Sequence, residues 1–148
     1  MTHSRKYAGC IQKPYDSSSE EHRAHKTVQG TAAAMRRWTF CGDGHLPESS
    51  IRVTMRHLQE IPPDYKPHVE THYHDADKLY ILLPDGDSNL EARVVLDGEE
   101  YTVLSPVTIF IPKGLPHSYR PLKGRGILLM ILNVPCSEHY NNHTFSVA

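Results

Sequence analysis

The distribution of apolar residues constrains this chain more than any other feature. Of 33 Leu, Ile, Val and Phe residues, 4 fall in residues 1–50, 27 in residues 51–134 and 2 beyond. The core must therefore come from the middle and late chain, where these residues arrive in short runs separated by turn signals. Ile51-Arg-Val-Thr-Met-Arg-His57 alternates apolar and polar side chains at the period of two that a half-buried strand shows. Further strands are expected at Lys78–Leu83, Leu90–Leu96, Glu99–Leu104, Val107–Ile111, His117–Arg120 and Gly126–Val134. Turns fall at Pro84-Asp-Gly86, Asp97-Gly98 and Pro112-Lys-Gly114. Asp-Gly between two such runs is a strong hairpin signal, because a type I′ turn needs positive φ at both central residues. Pro62-Pro63 and Lys66-Pro67 break the chain. With no amphipathic helix pattern, the set predicts an all-β antiparallel sandwich or barrel.

Residues 1–30 include the polar run Asp16–His22 and bury too little apolar surface to offset their ordering entropy alone. They are expected to form an arm, flexible or packed on a partner subunit. Residues 31–148 are read as one domain with its core at 50–134, since 148 residues suit a single domain. In Ala32–Phe40, Ala and Met favour helix while Trp-Thr-Phe favours strand, and both remain open.

Charge narrows the partners. Sixteen Lys and Arg stand against 17 Asp and Glu, a net charge of -1. Binding to nucleic acid or an anionic membrane by bulk electrostatics needs a basic excess, so neither is expected and a small-molecule partner is. No run approaches the ~18 apolar residues needed to span a bilayer, and the N-terminus lacks an apolar signal segment, so the expected location is the cytoplasm. Cys10, Cys41 and Cys136 contain no Cys-x-x-Cys pair and predict three thiols, neither a disulfide framework nor a thiolate zinc site.

Histidine is over-represented, with 11 residues. In His72-Tyr73-His74, an extended backbone puts both imidazoles on one face, roughly 6.6–7 Å apart along the chain. His117 follows Pro112-Lys-Gly-Leu-Pro116, a turn that would bring a third imidazole over the same face. Three neutral imidazoles leave coordination positions open, as in a catalytic metal site.

His72-x-His74 followed by Pro112-x-Gly114-x-x-His117 resembles the paired motifs of the cupin superfamily, over about residues 50–134. The resemblance implies a double-stranded β-helix, or jelly-roll barrel, with a divalent metal held inside by His72, His74 and His117, and a homodimer. Some positions depart from the pattern. Lys66 replaces the opening glycine of the first motif, Pro106 and Pro121 stand at the ends of the second, and Lys78 occupies the place of the usual glutamate ligand. Three-histidine cupin oxygenases with ferrous iron exist, so the implied ion is Fe(II), with Zn(II) or Mn(II) as alternatives. Asp77 or water would complete its shell, although strand alternation aims Asp77 away from the His74 face.

Parity also places Lys78 and Tyr80 beside His74, and Tyr119 beside His117. Lys78 is either a catalytic group with a lowered pKa or a salt-bridge partner of Glu70, Asp75 or Asp77. Tyr80 and Tyr119 are read as catalytic or substrate-holding hydroxyls, with core packing as the alternative. Arg52, Arg56 and Glu70 are candidate substrate anchors. His57 is expected as a core histidine and His68 at the barrel entrance. His3, His22, His25, His45, His139 and His143 are expected in solvent, and Arg36 and Arg37 on a solvated face.

Three functions follow from this reading. The first is an Fe(II) oxygenase or dioxygenase acting on a small organic molecule. The second keeps the site with Zn(II) or Mn(II) for isomerase, lyase or natural-product condensing chemistry, nitrogen–nitrogen bond formation included. The third is a non-catalytic ligand-binding module. The 50 residues before the barrel carry no helix-turn-helix pattern, which weighs against a DNA-linked sensor.

Overall fold

The computed structural model describes residues 5–25, 34–61, 65 and 69–147. His3, His68, Pro62-Pro63 and Lys66-Pro67 lie outside the described residues. Eleven strands are present among those described: β1 (Tyr15–Asp16), β2 (Met35–Cys41), β3 (Arg52–Leu58), β4 (His72–His74), β5 (Lys78–Pro84), β6 (Leu90–Leu96), β7 (Glu99–Leu104), β8 (Val107–Ile111), β9 (His117–Gly124), β10 (Gly126–Leu132) and β11 (Thr144–Ser146). They form two antiparallel sheets, ordered β1-β2-β3-β10-β5-β8 and β11-β4-β9-β6-β7. Their inner faces close on one another as a jelly-roll barrel. Helical structure among the described residues is limited to two 3-10 turns, Ala8–Cys10 and Tyr140–His143. None of it is long and apolar enough to cross a membrane.

Local chemistry accounts for the hairpins. Asp97 and Gly98 take φ of 47° and 83°, the conformation a type I′ turn demands, and they register Leu96 against Glu99 between β6 and β7. Ala32–Phe40 resolves, over its described part, in favour of strand: β2 alternates buried and exposed side chains along its length and pairs with β3. One half of the barrel is filled by an apolar cluster including Met35, Leu58, Leu82, Leu90, Val94, Ile111 and Leu128.

The orientation of β3 inverts the simple apolar-in reading. Arg52, Thr54 and Leu58 are buried, whereas Val53, Met55 and His57 face outward and are only half-buried. His57 is therefore not a core histidine; it sits 3.0 Å from Asp85 on the outer face. The inversion arises because this barrel carries polar side chains at one end of its interior, while its outer sheet face is itself apolar.

Over its described part, the segment expected as an arm joins this chain's own barrel. Tyr15 and Asp16 pair with Thr39 and Trp38, and Ser17, His22 and Ala24 are buried. His22 and His25, expected in solvent, instead lie inside. A polar segment is buried cheaply only when its groups are paired, and here the pairing exists. Arg37, also expected on a solvated face, donates to the Ser17 and Glu20 carbonyls, and a His22 ring nitrogen lies 3.0 Å from the Asp43 carboxylate. At the other end of the chain, the Cys41 and Cys136 thiols both donate to the Ile51 carbonyl, anchoring the C-terminal segment against β3.

Candidate metal centre

β4 holds His72 and His74 on its inward face, and the β4–β9 register sets His72 directly opposite His117. The turn at Pro112–Gly114 reverses the chain so that β9 begins on His117. Ring centroids are 4.4 Å apart for His72 and His117, 4.9 Å for His72 and His74, and 5.3 Å for His74 and His117. All three rings are buried, and one ligating atom from each lies within 4.8 Å of the others.

The second ring nitrogens decide the chemistry. Nδ1 of His72 lies 2.6 Å from the Glu70 carbonyl, Nδ1 of His74 3.0 Å from that of His143, and Nδ1 of His117 2.9 Å from that of Leu115. A carbonyl only accepts, so each Nδ1 carries the proton and each Nε2 is left with a lone pair. The Nε2 atoms of His72 and His117 are buried without a hydrogen-bond partner among the described residues. Buried polar atoms are rarely left so, and three orphaned or weakly held imidazole lone pairs facing one point fit a divalent ion.

Burial and the nearby Lys78 charge hold the His72 pKa near 4 and that of His117 near 3, and push His74 lower still. The folded, metal-free protein thus keeps these rings neutral where an unfolded chain would bind protons. The contribution of these histidines to stability is complete above the ordinary histidine pKa and is lost as pH falls from about 6.5 toward 4. Urea unfolding of the metal-free protein at pH 7.5 and pH 5 is expected to show a loss of several kcal/mol. Equal stability at the two values would contradict the buried neutral triad.

Lys78 projects into the same space, with its Nζ 3.3 Å from Nε2 of His74 and 4.7 Å from the centroid of the Tyr80 ring. Burial, then the charge of Arg52, lowers its pKa to about 7. The salt bridge weighed for it does not form: Asp75 pairs with His143, Asp77 accepts the Lys113 amide, and Glu70 is exposed. Asp77 likewise points away from the histidines. The Glu70 carbonyl accepts from His72 Nδ1. Tyr80 and Tyr119 are buried with ring centroids 5.6 Å apart, and the Tyr119 hydroxyl has no partner among the described residues. Arg52 is tied to Asp43 at 2.5 Å, and Arg56 lines the cavity beside the histidines.

Spacing gave no warning of three further inner residues. His25 packs 4.9 Å from the His72 ring, Arg37 lines the same cavity, and the Tyr140 hydroxyl comes within 3.5 Å of His74 Nε2. Tyr140 arrives because β11 pairs with β4 and carries the preceding 3-10 turn over the barrel mouth. Only its being an aromatic in a polar tail hinted at this. A second group, His22, Asp43 and His139, also clusters. There Asp43 already serves Arg52, His22 and the Tyr140 amide, so it acts as a hub for the fold.

No protein-family model matches the chain, and no curated protein matches it in sequence. Solved structures do. A DMSP lyase, DddQ, from Ruegeria pomeroyi is similar at 14% identity and a TM-score of 0.58, over 95% of this chain and 63% of that one. Oxalate decarboxylase from Bacillus subtilis is similar at 16% identity and a TM-score of 0.51, over 92% of this chain and 32% of that one. An RmlC-like cupin from Shewanella frigidimarina shares 16% identity, with a TM-score of 0.49, over 71% of this chain and 79% of that one. The likeness is one of fold, and the chain spans about a third of the decarboxylase. The protein has the cupin fold.

Proposed function

We propose that this protein is a metal-dependent enzyme acting on a small molecule inside the barrel, with His72, His74 and His117 holding one divalent ion. The observation carrying the proposal is the set of three buried imidazoles whose Nδ1 protons are committed to backbone carbonyls, leaving the Nε2 lone pairs for a metal. Fe(II) is the preferred ion; it would supply oxygen activation and Lewis acidity at open coordination positions. The chain's own residues would bind and orient the substrate through Arg56, exclude water with Tyr80 and Tyr119, and hold a proton at Lys78 Nζ.

That last feature favours a second, redox-neutral reading with Zn(II) or Mn(II). An amine with a pKa of about 7, 3.3 Å from a ligand nitrogen, is suited to proton transfer near neutrality. The two are separated by anaerobic reconstitution with Fe(II), metal analysis, and oxygen uptake with a panel of small carboxylates. Stoichiometric iron with substrate-dependent uptake supports the oxygenase. Turnover unchanged under argon supports the redox-neutral enzyme. Ligand binding without turnover under either condition leaves a binding module.

We also propose a homodimer. Ile127, Leu129 and Ile131 of β10 lie outward beside Leu79 and Ile81 of β5 and Met55 of β3, a half-buried apolar face suited to a second copy. Sedimentation at micromolar concentration is expected to give a dimer that Leu129→Glu dissociates. A wild-type monomer would contradict this.

A further inference from the structure

We infer that the cavity beside the three histidines is built to hold a small carboxylate anion, gripped by Arg56 with Lys78. This rests on reading the barrel as a substrate site and names what enters it. Inward positions of β2, β3 and β5 send Arg37, Arg52, Arg56 and Lys78 into one cavity, and Arg37 and Arg56 are register partners.

Among the described residues, their counter-charges do not balance. Asp43 answers Arg52 and also takes His22. Arg37 spends its donors on the neutral carbonyls of Ser17 and Glu20, with the Glu20 and Asp43 charges acting on it through space. Among the described residues, buried Lys78 meets only an imidazole nitrogen and aromatic rings. Arg56 makes no hydrogen bond or ion pair with any described residue. A buried cation such as Lys78 without a counter-ion is costly, and a bound anion removes that cost, with half-buried Arg56 free to share it.

A guanidinium fork matches the paired oxygens of a carboxylate or a phosphate, so the surrounding space selects between them. The cavity is narrow and adjoins a second that shares His25, Arg56 and Met130. A narrow site favours a compact acid over a nucleotide or phosphorylated sugar. The adjoining cavity offers Leu128 and Met130 to a carbon skeleton. His25 Nε2 and the Tyr119 hydroxyl, both buried and without partners among the described residues, are available to a second oxygen.

The test uses metal-free full-length protein and malonate as probe, followed by calorimetry, with malonamide and inorganic phosphate as comparisons. Malonate is expected to bind once per chain and malonamide at least about ten-fold more weakly, since charged hydrogen bonds are the stronger ones. Arg56→Gln is expected to weaken malonate binding at least about ten-fold, while Arg36→Gln, on the exposed outer face, leaves it unchanged. Where Arg56→Gln fails to fold, the Nε–H resonance of Arg56 in the wild type must shift on adding malonate. No malonate binding, phosphate binding as tight as malonate, or full affinity in Arg56→Gln would each overturn the inference. Co(II) binding is measured on the same samples: its loss with malonate binding intact defeats the metal reading alone, and the reverse result defeats the anion site alone.

Discussion

Replacing His117 by alanine is expected to lower Co(II) affinity by about 100-fold or more, measured by competition with a chromophoric chelator. Loss of an outer-shell partner alone commonly costs about 10- to 100-fold, and removing a ligand removes more. His117 is fully buried and held by the Leu115 carbonyl, so its Nε2 needs no rearrangement to bind. The Asp77 carboxylate does not take its place, because it accepts the Lys113 amide. His139→Ala, in the second histidine cluster, is expected to leave Co(II) affinity unchanged. The His117 variant should stay folded, since losing the imidazole also removes a desolvated polar group. Unchanged affinity in His117→Ala would place the ion elsewhere.

Lys78→Met is expected to raise Co(II) affinity by about ten-fold, and Lys78→Glu by about 100-fold. Lys78 Nζ engages the same His74 lone pair that a metal would use. Two unit charges about 4 Å apart repel by roughly 4 kcal/mol at an effective dielectric near 20. The effect here is smaller because the amine is only partly protonated near pH 7. Glutamate would in addition restore the carboxylate that cupin motifs carry at this place. The same residue has a signature in stability. Its pKa is about 7 when folded and 10.5 ordinarily, so between these values the unfolded chain binds the proton that the folded chain refuses. Stability of the metal-free protein should therefore rise with pH from about 7 to 10, and Lys78→Met should flatten that rise. Weaker metal binding in Lys78→Met would mean that the lysine supports the site instead of competing with the ion.

Much of the fold was legible because its strands are short, regular and separated by turn residues that dictate their own geometry. Leu90–Leu96, Glu99–Leu104 and Val107–Ile111 coincide with β6, β7 and β8 at both ends. The three histidines were legible for a related reason: i and i+2 in a strand share a face, and Pro112–Gly114 reverses the chain. Residues whose placement depends on long-range pairing were not legible. Val53 and Met55 look like core by alternation, yet Arg52 and Thr54 face inward, because the direction of a strand's faces is set by its neighbours. His25 and Tyr140 reach the site from opposite ends of the chain, the first through a buried polar segment and the second through β11 pairing with β4. Glu70 contributes a carbonyl, a group every residue carries and composition cannot reveal.

An anomalous difference map from crystals grown with Co(II) locates the ion directly. One ion per chain is expected, bound by Nε2 of His72, His74 and His117 at about 2.1 Å. No ion at these three nitrogens, or an ion found only at His22, Asp43 and His139, would contradict it.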